Sequence, residues 1–464
     1  MRRGRALEEG GALQPLLAAA IVVGLILLSV LVGLVLGEGL SLRTLALLAL
    51  PAGLLGLVFV TRYSQSLILL LPLTALFLPY VQMPTGTESP VPLSLLLACG
   101  LSGLWIATVL LRGGRLSPSL LNAPILIFCA ICIVSLFWGL AWRDPWLIRA
   151  PKFIVTQVGA LVTILMSPTA ALLVGNFVTS ERQLKFIFGA FIVGGVLMTA
   201  TQLLHIEQKL LNDRGLWAMW TVVPLFALLI AQPGVRWYWR LLIAGALLLT
   251  LYQTMIVNRD WLSGWVPSIV ALAALVYIRS PKTFFALLPF GVLAIVVSYG
   301  FFRMVAQENI DDGSLERLII WEQNWRVVKD HWFLGTGPAG YAIYYMTYFP
   351  AEARSTHNNY LDIVAQFGFV GLGVWFWLAF AGFWEGWRLS RSLPEGFTRT
   401  LAMAATAGWI GACASMFFGD WILPFAYNQG IAGYKYTVYT WIFLGTLIVV
   451  RRLATARQQA EVYA

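Results

Sequence analysis

In this chain of 464 residues only 11% are charged and 59% are hydrophobic, against about a quarter charged in an ordinary soluble domain, which excludes a water-soluble globular protein. The net charge of +10 lies in short clusters between apolar runs and not on one continuous face, which argues against nucleic acid as a partner and for membrane orientation. Apolar runs of about 20 residues recur along the whole length without the alternation of an outer-membrane barrel, so the sequence reads as an all-α polytopic membrane protein.

In chain order, fourteen candidate spans lie near 15–36, 44–61, 65–80, 93–111, 121–142, 153–178, 184–204, 216–232, 238–257, 261–278, 283–301, 360–384, 399–418 and 437–450. The weakest are 65–80, 216–232 and 437–450, which gives a range of twelve to fourteen transmembrane helices. The first apolar run, after "MRRGRALEEGGALQP", is too long for a signal peptide and lacks a small-residue cleavage site, so it reads as a retained span. The run near 121–142 contains "CAIC" (Cys129 and Cys132). With no βαβ pattern around it, this pair reads as buried thiols and not as a redox or metal pair. No internal repeat of the kind that builds many transporters is visible.

Placing the N-terminus in the cytoplasm and alternating puts 18 of the 31 lysines and arginines inside. That bias, together with the even span count, predicts two cytoplasmic termini. The organisation expected is spans 1–11 over 1–301, a long outer loop over 302–359, and spans 12–14 with a cytoplasmic tail over 360–464. Within the loop, "SLERLIIWEQNWRVVKDHW" carries apolar residues near helical spacing and predicts an amphipathic surface helix. The "GTGPAGY" that follows ends it. Its literal G-x-G-x-x-G lacks the βαβ setting of a dinucleotide site and reads as a tight turn.

Chemistry-bearing residues gather on the predicted outer side. Arg259, in "NRD" between two spans, fits either an anion site or a local pairing with Asp260. Arg317, Trp321 and Asn324 share one helical stripe, suited to a phosphate and a sugar or to lipid headgroups. His357, in "STHNNYL", is a candidate general base, since a neutral imidazole takes a proton from a hydroxyl at physiological pH. Asn358 beside it either orients a substrate or caps the next helix. The three histidines are too dispersed for a metal site.

The ordered set Arg259, "RLIIW" from Arg317, "DHWFLGTGP" from Asp330, "HNNYL" from His357 and "QFGFVGL" from Gln366 resembles the O-antigen ligase and O-antigen polymerase superfamily of bacterial membrane glycosyltransferases. The motifs cover roughly 255–375. Asn258 stands where relatives often have serine, and "DHW" where they often have "DHP". The resemblance implies a GT-C-like fold in the cytoplasmic membrane. It also implies metal-independent, inverting transfer of a glycan from undecaprenyl diphosphate to a glycan or lipid-glycan acceptor, with no cofactor. On that reading Arg259 and Arg317 hold the diphosphate, Trp321 and Asn358 contact substrate, and His357 deprotonates the acceptor. The alternative class is a transporter for small anions, which would place its ionisable residues near the midplane.

Overall fold

The computed structural model describes residues 66–464 except 79, 83–89, 113–114, 149, 151–152, 207–210, 212–213, 260, 301–302, 305–314, 351–354, 426–428 and 463–464. The two expected spans near 15–36 and 44–61, and Asp260, lie outside the described residues. From residue 68 on, the described residues belong to the unit Ile68–Ala464.

Where a span was expected over 65–80, helix α1 covers only Leu70–Phe77. It stops because Leu78 is extended, as a residue preceding proline tends to be. A short antiparallel pair follows that hydropathy did not foresee, β1 (Tyr80–Gln82) and β2 (Pro90–Pro92), in register Tyr80 opposite Pro92. Then come α2 (Leu93–Arg112), α3 (Asn122–Ala141), α4 (Phe153–Phe177), α5 (Glu181–Leu203), α6 (Met219–Ala231) and α7 (Trp237–Tyr252) with a π-helical turn Gln253–Val257. After them lie α8 (Leu262–Arg279), α9 (Pro281–Val297), α10 (Leu315–Asp330), α11 (Gly340–Tyr348), α12 (Asn359–Ser392), α13 (Phe397–Ser415) and α14 (Tyr434–Val462).

Eight described helices are long and apolar enough to cross a bilayer: α2, α3, α4, α5, α7, α8, α12 and α14. This fits an all-α polytopic membrane protein. Helices α6 and α9 are apolar but shorter. Helix α13 is buried on almost every side through alanines and glycines, so its low hydropathy reflects helix neighbours and not exposure to water.

Helix α14 is the hub. Its residues Val438 to Val450 are almost entirely buried, and it packs on α4, α13, α12 and α2. A Cβ at Gly445 would lie 2.6 Å from the Ala171 carbonyl oxygen, so this contact admits glycine alone. One end of the bundle is rich in ion pairs. Arg451 on α14 holds Glu385 on α12, Arg457 on α14 holds Glu181 on α5, and Arg279 and Arg399 hold Glu395.

Toward the other end, α12 is broken. Gly368 has φ +67° and ψ −172° inside it, and the turn after α10 is stitched to the break. Thr336 and Gly337 donate to the carbonyls of Ala365 and Gln366, both at 2.9 Å, and Phe369 donates to Trp332 at 2.8 Å. The Gln366 side chain accepts from Ala339 N–H at 2.8 Å, and the Ser135 hydroxyl faces the carbonyls of Leu334 and Gln366. A Cβ at Gly368 would fall on the Phe333 carbonyl, and one at Gly335 on the Gln366 backbone. Gly335 and Gly337 are also left-handed. The glycines therefore serve a close backbone junction, as the tight-turn reading expects.

Gly368→Ala is expected to destabilise the protein by more than the ~1–3 kcal/mol of a strained backbone position, because the clash adds to the strain. Gly373→Ala, on the same helix but facing open space, is expected to leave the melting temperature unchanged or slightly raised. Thermal unfolding of both variants in the same detergent checks this.

Candidate functional site

Helix α10 forms where the amphipathic pattern predicts, but its packing divides differently. Ile320, Val327 and Val328 are buried, whereas Leu318, Ile319 and Trp325 are exposed. The inward face joins a core with Tyr341, Tyr345, Val364 and Phe425, in which the Tyr341 and Phe425 rings stack at 4.7 Å. The Arg317–Trp321–Asn324 stripe thus faces the protein. Asn324 is fully buried, and the Trp321 indole N–H donates to the Thr356 carbonyl at 2.8 Å. Trp321 braces the histidine loop.

That loop is held at every residue. Ser355 Oγ donates to Asp420 at 3.0 Å and accepts from His357 N–H at 3.2 Å. Thr356 Oγ1 donates to Asp362 at 2.6 Å, and the Tyr341 hydroxyl donates to the same Asp362 oxygen. Asn358 is the N-cap of α12, accepting from the backbone N–H groups of Tyr360 and Leu361 at 3.0 and 3.3 Å. Asn359 accepts from Ile422 and Leu423 N–H, both at 3.2 Å, and donates to the Leu423 carbonyl at 2.8 Å. It fastens the segment that carries Asp420. His357 stands between these anchors with φ +49°, a left-handed conformation that costs a non-glycine residue of order 1–2 kcal/mol.

This backbone presents His357 to a cavity of about 330 Å³. Arg317, Arg214 and Asp420 supply its other charges, and Trp261, Trp421 and Tyr436 an aromatic wall. Trp421 meets Trp261 edge-on at 5.8 Å and Tyr436 at 5.9 Å. Arg317 and His357, both singled out from the sequence, thus meet in one cavity. Arg259 is not among the residues lining it. Arg259 is half-buried, its carbonyl accepts from the Trp265 indole at 3.0 Å, and it lies two positions before Trp261. Sequence reasoning missed Arg214 and Asp420. Asp420, a carboxylate in "FFGDWILPF" beside an apolar run, carried a usable signal, since such charges mark function by default.

Burial pushes the His357 imidazole below the ordinary histidine value. The Asp420 carboxyl partly offsets this, and the Arg317 charge reinforces it. His357 is therefore neutral near pH 7 and able to accept a proton. Burial also lowers the Arg317 pKa, yet a guanidinium stays protonated. A desolvated cation of this kind is compensated by an anion placed beside it.

Replacing Asn358 by alanine removes the cap and is expected to cost about 1 kcal/mol of stability, read as a lower denaturation midpoint in folded, detergent-solubilised protein.

Among curated proteins no sequence matches this chain. Residues 241–376, which contain Arg259, Arg317, Trp321, His357 and Asn358, match the family model described as O-antigen ligase (Wzy_C), and the chain thereby resembles the O-antigen ligase and polymerase superfamily of membrane proteins that transfer glycans.

Proposed function

We propose that the chain is a metal-independent inverting glycosyltransferase of the bacterial cytoplasmic membrane, with both termini cytoplasmic and the His357 cavity on the outer face. It moves a glycan from undecaprenyl diphosphate to an acceptor hydroxyl, as an O-antigen ligase or polymerase does. The observation that carries this reading is the meeting of Arg317 and His357 in one cavity, with Arg214 as a second cation and Asp420 beside the histidine.

In the proposed reaction the acceptor O–H gives its proton to the neutral His357 imidazole. The freed oxygen lone pair attacks the anomeric carbon from the face opposite the diphosphate. The bond from that carbon to the diphosphate oxygen breaks, the electron pair leaves on undecaprenyl diphosphate, and the configuration inverts. Arg317 and Arg214 stabilise the charge that grows on the leaving group, and Arg259 contributes to donor binding. Trp321 acts chiefly by holding the histidine loop, and Asn358 by fixing the helix start behind it. The aromatic wall of Trp261, Trp421 and Tyr436 offers ring faces to sugars. The cavity's charges sit at a helix-loop junction and not midway along the spans, which favours a transferase over an anion transporter.

Transfer by purified protein in lipid, with an undecaprenyl-diphosphate oligosaccharide and a panel of acceptors, tests the reading. His357→Ala is expected to lower the rate about 10²- to 10⁴-fold and Arg317→Ala about 10²- to 10³-fold. Wild-type rates in folded variants would defeat the proposal. The acceptor that turns over separates ligase from polymerase.

The pH dependence follows from the sign of the histidine shift. A base with a lowered pKa stays deprotonated further into acid, so the acid limb of kcat/KM is expected below ~6.5, the free histidine value. Asp420 stabilises the imidazolium, so Asp420→Asn is expected to move that limb to still lower pH. A limb that stays in place would remove Asp420 from the electrostatics of the base.

A further inference from the structure

A second cavity, of about 670 Å³, opens between the last turns of α12 and α14. Arg388, on its wall, lies 20 residues beyond the Gly368 break, or ~30 Å of helix, so this cavity is at the end of the bundle away from His357. Trp384, Glu385, Trp387, Arg391 and Arg451 also line it.

Its charges do not cancel. Glu385 is buried, and Arg451 neutralises it through contacts of 3.0 and 2.8 Å to its two oxygens. Arg388 and Arg391 are exposed and pair with no carboxylate among the described residues. Arg391 instead lies 4.5 Å over the Trp387 ring. The nearby Glu395 is taken by Arg279 and Arg399. Two guanidinium groups therefore line the cavity outside any ion pair among the described residues.

The same helix carries an apolar track away from the cavity. Phe376, Phe380 and Trp384 follow one another at i, i+4 spacing, 54%, 60% and 40% exposed, and Arg388 is the next residue in the series. The Phe380 and Trp384 rings stack at 6.0 Å with an interplanar angle of 13°. Over these three turns, ~18 Å, the helix shows aromatic faces to the bilayer and then ends in cations. A free anion has no use for such a track, whereas a lipid uses both parts. We propose that the cavity seats the headgroup of an anionic phospholipid, with Arg388 and Arg391 on the phosphate and the acyl chains along Phe376, Phe380 and Trp384. The inference is independent of the glycosyl-transfer reading.

Native mass spectrometry of the full-length protein, with equimolar phosphatidylglycerol and phosphatidylcholine of matched chains, tests it. The wild type is expected to retain phosphatidylglycerol preferentially. Arg388→Gln and Arg391→Gln, made singly and together, are expected to lower that preference about fivefold per arginine. Arg236→Gln with Arg240→Gln, a cation pair flanking the exposed aromatics Trp237 and Trp239, is expected to leave it intact. Melting temperatures in phosphatidylcholine micelles establish that each variant is folded, and the single variants at exposed positions carry the test where the double one melts early. The proposal is overturned by a wild type that retains both lipids equally, by a preference that survives both single substitutions, or by one that falls as far in the Arg236/Arg240 pair. Displacement of phosphatidylglycerol by millimolar inorganic phosphate would overturn it as well, because it would show a free-anion site.

Discussion

Non-helical backbone is tolerated at membrane depth only when protein, not lipid, satisfies its polar groups. The junction between residues 332–337 and the broken helix at 365–370 meets that condition. Its peptide groups bond to one another, and Gln366 and Ser135 satisfy further groups. The break divides α12 into a short leading segment and a long trailing one. The leading segment carries the Asn358 cap, Asn359 and Asp362, and these three residues position the histidine loop. A continuous α12 would leave the Gly335–Gly337 turn without its bonding partners. Glycine at 335 and 368 is thus a condition for the site, although neither residue touches the cavity.

The site itself is built by mutual restraint. His357 adopts a left-handed conformation that is unfavourable alone, and it is held by groups on three different segments. Trp321 comes from α10, Asp420 from the connection after α13, and Asp362 and Asn358 from α12 or its cap. Asp420, Asp362 and Asn358 are buried and Trp321 is half-buried, so these bonds are stronger than their counterparts in water and costly to leave unmade. That rigidity fixes the imidazole relative to Arg317. It also explains why Trp321 and Asn358, expected from the sequence to touch substrate, spend their polar atoms on the protein.

The sequence disclosed what depends on local pattern. Apolar runs located the described long helices, helical spacing located α10, and the glycines of "GTGPAGY" marked its end. Chain order and residue type brought out His357 and Arg317, which do share a cavity. What local pattern could not disclose is convergence. Arg214 and Asp420 lie on connections far apart in the chain, and only the packing of α13 and α14 brings those connections to His357. At α1 the reason is different and local: the apolar run continues, but Leu78 precedes a proline and is extended, a signal that hydropathy alone does not register. The inward face of α10 was ambiguous because apolar residues occupy both of its sides.

The two ends of the bundle treat arginine in opposite ways, and burial accounts for the difference. Near His357, Arg317 is half-buried and its pKa is lowered, which makes the cavity receptive to a multiply charged anion and helps to keep the neighbouring histidine neutral. At the far end, Arg451 and Arg457 are consumed in ion pairs that tie α14 to α12 and α5, and Arg452 donates to the carbonyls that close α4. Cations there are first of all fasteners of the hub helix. Arg388 and Arg391 exceed what fastening requires, since Glu385 and Glu395 on or just after the same helix already have other partners. An arginine that neither fastens helices nor sits desolvated beside the histidine is left to meet the one anion a bilayer always supplies, the phosphate of its own lipids.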